Sequence, residues 1–143
     1  RVTLLKLKAA NEQMHRQGLV PRPILCADTT VALADSIFGK PLDHADAVRM
    51  LTELSGHTHQ VFTAVALNSG RQIRCKVQKS SVTFARLTSH EIQAYVQTAE
   101  PMGKAGAYGV QGLAATHISE IKGSYSGIMG LPLFETAQLL KQI

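Results

Sequence analysis

The sequence predicts an α/β fold in which a mixed, twisted sheet is flanked by helices. Helical apolar spacing and short β-branched runs alternate along the chain. The turn sequence Asn68-Ser69-Gly70 joins two long strand-like runs into a hairpin. With 143 residues, 45% hydrophobic and 17% charged, there is material for one core, so residues 1–143 read as a single domain.

From Val2 to about Gln17, the residues Leu4, Leu5, Leu7, Ala10 and Met14 recur at helical spacing, and Gly18 stops the helix. Pro21-Arg22-Pro23 breaks the chain ahead of Ile24 to Leu33, a short apolar run typical of a buried strand and interrupted by Asp28. Residues 35–41 read as a loop. Asp43 caps a helix whose Ala47, Val48, Leu51 and Leu54 face inward and which ends at Gly56. Val61 to Leu67 and Ile73 to Leu87 form the hairpin. Thr88-Ser89-His90-Glu91 is a capping box, and Ile92, Tyr95 and Val96 give the helix it opens an apolar stripe that ends near Thr98. Residues 100–112 are glycine-rich and irregular, and Ala115 to Ile121 reads as a strand. Ser124-Tyr125-Ser126 forms a turn between glycines, and Pro132 opens a last helix over Leu133 to Ile143.

Fifteen Lys and Arg against ten Asp and Glu give a net charge of +5, which suits an anionic partner. Four Phe, three Tyr and no Trp, with no run of five basic residues, argue against a nucleic-acid stacking surface. No apolar stretch reaches the length of a membrane span. Cys26 and Cys75 lack the spacing of a disulfide framework; they read as core residues in a reducing, cytoplasmic setting. The N-terminus has no signal-peptide pattern, lacks Met and opens inside a helical pattern, so the chain reads as a piece of a longer one.

Asp28 is the most unusual position. A carboxylate inside an apolar strand needs a cation, hydrogen-bond donors or a strand end. Two roles fit: a ligand for Mg²⁺ or a water beside an anionic substrate, or a carboxylate satisfied by local hydrogen bonds. Lys8, Lys40 and Lys104 each adjoin a small or rigid residue and could serve as point charges for a polyphosphate; each could equally be a solvated surface lysine. His57 and His59 share a strand face but lack further metal ligands, and read as a turn pair. Gln111, set among glycines, could read a base or sugar edge or be an ordinary loop side chain. Walker and G-x-G-x-x-G loops are absent, and Ser124 and Ser126 form no catalytic triad order.

Lys8-Ala9, Ala27-Asp28-Thr29-Thr30, Gly39-Lys40-Pro41, residues 54–63 (Leu-Ser-Gly-His-Thr-His-Gln-Val-Phe-Thr), residues 104–112 (Lys-Ala-Gly-Ala-Tyr-Gly-Val-Gln-Gly) and residues 123–132 resemble, in order and spacing, the Maf family. The resemblance runs over essentially the whole chain. It implies a fold similar to inosine triphosphate pyrophosphatases and metal-assisted hydrolysis between the α- and β-phosphates of a nucleoside triphosphate. Carried over by motif, Asp28 would be the catalytic carboxylate and a ligand of Mg²⁺ or Mn²⁺. Lys8, Lys40 and Lys104 would neutralise the triphosphate, and Thr29 and Gln111 would line the substrate pocket. The Lys-Ala-Gly-Ala-Tyr-Gly block is similar to the branch acting on dTTP and UTP; the branch acting on 7-methyl-GTP carries a more acidic block. The resemblance further implies a homodimer, nucleotide-pool house-cleaning and a link to septum formation. It also implies a strand, a Ser-x-x-Arg phosphate loop and a helix ahead of residue 1. Their absence leaves open a non-catalytic module that binds a nucleotide or a division protein.

Overall fold

The computed structural model describes residues 1–142. Five strands, β1 (Ile24–Leu33), β2 (Ser36–Phe38), β3 (Thr58–Asn68), β4 (Ile73–Phe84) and β5 (Ile118–Lys122), form one sheet in the order β2-β1-β3-β4-β5. Among the described residues the α-helices are α1 (Val2–Arg16), α2 (His44–Leu54), α3 (Ser89–Gln97), α4 (Tyr125–Met129) and α5 (Leu133–Leu140). Helices flank a sheet as expected, but every pairing among the described residues is antiparallel rather than mixed.

β1 and β3 pair over nine positions, from Ile24↔Asn68 to Ala32↔Gln60. Strand alternation then sends Val31, Val61 and Val82 to one face. There they meet Phe38, Leu51, Leu54, Phe84, Ile92 and Val96 in the main core, with α2 and α3 packed on each other. Asp28, Ala66 and Cys75 alternate to the other face. α1 contacts β1 and β3, and Lys6 on that helix reaches Asp28.

Several sequence expectations need correction. α1 buries only the i,i+4 pair Thr3 and Leu7, so Leu4 and Leu5 stay exposed. The expected loop over residues 35–41 contains β2, which folds back on Val31–Leu33 through a tight turn with Ala34 at φ +49°. A 3-10 turn over Leu113–His117 delays β5 until Ile118. Residues 125–129 form a short helix capped by Ser124, whose hydroxyl accepts the Gly127 N–H at 2.9 Å. Cys26 is half-buried and Cys75 exposed, because both lie on the sheet face away from the main core. The last helix ends at Leu140, and Ile143 lies outside the described residues.

Capping is as the sequence predicts. Asp43 accepts the Asp46 N–H at 2.8 Å, and Thr88 and Glu91 form a reciprocal capping box.

β2 covers only the last residues of β1. The outer side of residues 24–30 has no strand beside it among the described residues, and a cleft opens along that edge.

Candidate active site

The cleft has a volume of about 270 Å³. Asp28 and Thr29 are consecutive on β1, so the pleat turns their side chains to opposite faces, yet both reach a cleft that wraps the strand's open edge. The Asp28 side chain is 23% exposed and accepts a hydrogen bond on Oδ1 from the Lys6 ammonium; its Oδ2 accepts none from the described residues.

Thr29 is fixed by a hydroxyl relay. Thr63 spends its only hydroxyl proton on the Gly127 carbonyl at 2.6 Å, so in the 2.9 Å contact between the two threonines Thr29 must be the donor. Thr29 therefore offers the cleft lone pairs alone. It can hold a cation or a water, but it cannot donate to a phosphate. The same relay clips α4 to β3.

Lys40 follows β2, and its loop is tied to the 3-10 turn Ala105–Ala107 by the Gly106 N–H, which donates to the Gly39 carbonyl at 3.0 Å. Gly106 sits at φ +71°, and a Cβ there would lie 3.1 Å from both Val31 methyls, so any side chain would be strained and would press on Val31. Lys104 precedes that turn and donates to the Glu100 carbonyl at 2.6 Å. A Cβ on Gly109 would lie 3.1 Å from Lys104 Cε, so this glycine leaves room for the Lys104 side chain.

Glu100 organises the loop. Its carboxylate accepts the Tyr95 hydroxyl at 2.9 Å, the Leu113 N–H at 2.9 Å and the Ala114 N–H at 3.3 Å. Burial works against its charge, but these hydrogen bonds and the nearby Lys104 outweigh burial and hold the carboxyl below its usual range. Burial, reinforced by Glu100, pushes the Tyr95 hydroxyl up, so it remains a donor.

Tyr108 lines the cleft with its ring and turns its hydroxyl inward to His59 Nε2 at 2.7 Å. His59, Phe84 and Tyr108 stack edge to face, with ring centres 4.9–5.4 Å apart. His59 is fully buried, and burial lowers its pKa from 6.5 to about 4, so the ring is neutral. His57 is exposed ahead of β3, so the two histidines are not a metal pair.

Of the residues singled out in the sequence, Asp28, Thr29, Lys40, Lys104 and Gln111 all line the cleft. Lys8 does not. It stands on the outward row of α1, 4.0 Å from Glu12, with its side chain 76% exposed. Lys6 takes the place expected of it. Its signal was its position three residues after Thr3 and next to Leu7, the two buried positions of α1, but that phase is legible only once Leu4 and Leu5 are known to face solvent.

Among the described residues, no three His, Cys, Asp or Glu side chains gather as metal ligands, and Asp28 is the one carboxylate lining the cleft. The Asp28 Oδ2 accepts no hydrogen bond from the described residues, and Thr29 brings lone pairs to the same cleft from the other face of β1, a hard-oxygen donor set that fits a Mg²⁺-like cation completed by phosphate oxygens and water rather than by a protein cage. No helix among the described residues is long and apolar enough to cross a membrane.

The family model described as Maf-like protein matches residues 1–143. A Polaromonas sp. (strain JS666) protein named dTTP/UTP pyrophosphatase is 62% identical over 141 residues, covering 99% of this chain and 70% of the relative. A protein of the same name from Albidiferax ferrireducens is 60% identical with the same coverage. A Haemophilus ducreyi protein named nucleoside triphosphate pyrophosphatase is 48% identical over 143 residues, covering all of this chain and 73% of the relative.

Proposed function

The chain belongs to the Maf-like family, and on that premise we propose that it hydrolyses dTTP and UTP to the nucleoside monophosphate and pyrophosphate, clearing the nucleotide pool. The observation that carries this reading is the meeting of three lysines from three separate segments, Lys6, Lys40 and Lys104, with a single carboxylate in one cleft. Phosphoryl chemistry asks for positioning and charge stabilisation, and this set supplies both. The names of the relatives support the choice of dTTP and UTP.

In the proposed reaction the lysines neutralise the triphosphate, and Lys6 exchanges its contact with Asp28 for a phosphate oxygen. The freed Asp28 accepts a proton from water as the water oxygen bonds to the α-phosphorus. The α–β bridging bond breaks, its electron pair leaves with pyrophosphate, and Lys104 or Lys40 stabilises the developing charge. A divalent cation held by Asp28, with the lone pairs of Thr29, would add Lewis-acid neutralisation of the phosphates. Gln111 stands at the nucleoside end of the cleft. Tyr108, packed on neutral His59, forms its rigid wall.

Two free cysteines and a nucleotide substrate support a cytoplasmic site of action. Leu133, Phe134 and Leu140, exposed along α5, supply apolar surface for the homodimer included in this proposal. A panel of dTTP, UTP, CTP, GTP and 7-methyl-GTP, assayed for pyrophosphate and for orthophosphate, tests the reading. Pyrophosphate is expected from dTTP and UTP first; orthophosphate in its place would overturn it.

A further inference from the structure

The cleft of about 270 Å³ is small for a whole nucleotide, since pockets for small molecules usually span roughly 300–1,000 Å³. Its lining carries Lys6, Lys40 and Lys104 with Asp28, which suit phosphate. A second groove of about 420 Å³ adjoins it, and Gln111 lines both. This groove is walled by Val110, Ala115, Ile118, Ile121 and Tyr125, with Ser119 and Glu120 adding polar atoms. It lacks lysine and arginine, so it is a poor place for phosphate and a good one for a flat, weakly polar ring.

Three further features suit a nucleobase. Tyr125 is half-exposed at the start of α4, so its ring is available for stacking. α4 then carries the chain from Tyr125 in the groove to Met129 in the cleft, linking the two along one short element. β5 is the last strand of the sheet, so one side of its backbone offers N–H and C=O groups that no strand pairs among the described residues. The groove follows that strand over residues 118–121. Thymine and uracil share an imide edge, a donor between two acceptors, which unpaired main-chain groups can match without a charged side chain.

We propose that this groove is the nucleoside subsite, with the base against Tyr125 and the edge of β5, Gln111 at the joint, and the triphosphate running into the lysine cleft. The proposal rests on the nucleotide reading above and adds where the base is bound.

The test is titration calorimetry of the wild-type chain, Tyr125→Ala and Tyr125→Phe with two probes, dTMP and inorganic tripolyphosphate, run beside dTTP hydrolysis. Tyr125→Ala should weaken dTMP about tenfold and raise the KM for dTTP to match, while tripolyphosphate affinity and kcat stay unchanged. Tyr125→Phe keeps the ring and should restore both. Unchanged dTMP binding in Tyr125→Ala would overturn the subsite and return the base to the cleft floor beside Val31 and Val61. Equal losses for dTMP and tripolyphosphate would also overturn it, by showing a general distortion. If the wild-type chain binds dTMP through Tyr125 but releases no pyrophosphate from dTTP, the subsite stands and the hydrolytic reading falls.

Discussion

The ammonium of Lys6 on α1 donates to the carboxylate of Asp28 on β1, so the one acid lining the cleft among the described residues is held by a cation from a helix on the sheet face opposite the main core. A carboxylate facing an incoming triphosphate would repel it. Pairing with Lys6 removes that repulsion and places the cation where a phosphate oxygen can take it over.

This geometry separates two lysines of one helix. Lys6→Met should raise the KM for dTTP about tenfold through loss of a charge-assisted contact. Lys8→Met, on the outward row with Glu12, should change it less than twofold. Steady-state kinetics on both variants decides the matter, and the reverse pattern would return the phosphate role to Lys8, as the motif match implies.

The difference between the two lysines also marks how far the sequence could be read. β1, the hairpin and the capped helices α2 and α3 were legible because periodicity, turn residues and caps agreed there. Asp28, Lys40, Lys104 and Gln111 were legible as an ordered set of motifs. The hidden features depend on tertiary context. The turn into β2 uses Ala34 and Asp35 without glycine or asparagine, and the phase of α1 is set by Thr3 and Leu7 rather than by Leu4 and Leu5. The Glu100 hub joins side chain and backbone groups up to fourteen residues apart in an irregular loop that no periodicity describes.

Buried His59 makes stability depend on pH. Folded, it takes a proton only near pH 4; unfolded, near 6.5. Between those values the unfolded chain binds more protons, so stability should fall as pH drops from about 6.5 to about 4, by up to about 3 kcal/mol, and His59 should add no slope above that window. Urea unfolding across the range should show this loss in the wild-type chain and a flatter profile in His59→Gln. Equal slopes in both would contradict the assignment.

Gly112 lies where a Cβ would come within 2.4–2.5 Å of the Glu100 carboxylate. Gly112→Ala should therefore dislodge Glu100 from the Leu113 and Ala114 amides and cost about 1–3 kcal/mol. In a double-mutant cycle by urea unfolding, Glu100→Ala should absorb most of that cost, because the colliding group is gone. Strict additivity would show that Glu100 is not what Gly112 accommodates.

If Asp28 drives hydrolysis between the α- and β-phosphates, pyrophosphate release from dTTP by the wild-type chain and by Asp28→Asn, with circular dichroism verifying the fold of each, shows it. The wild-type chain should release equimolar dTMP and pyrophosphate, and Asp28→Asn should lose at least about a hundredfold in kcat with its fold intact. Undiminished pyrophosphate release by Asp28→Asn would contradict it.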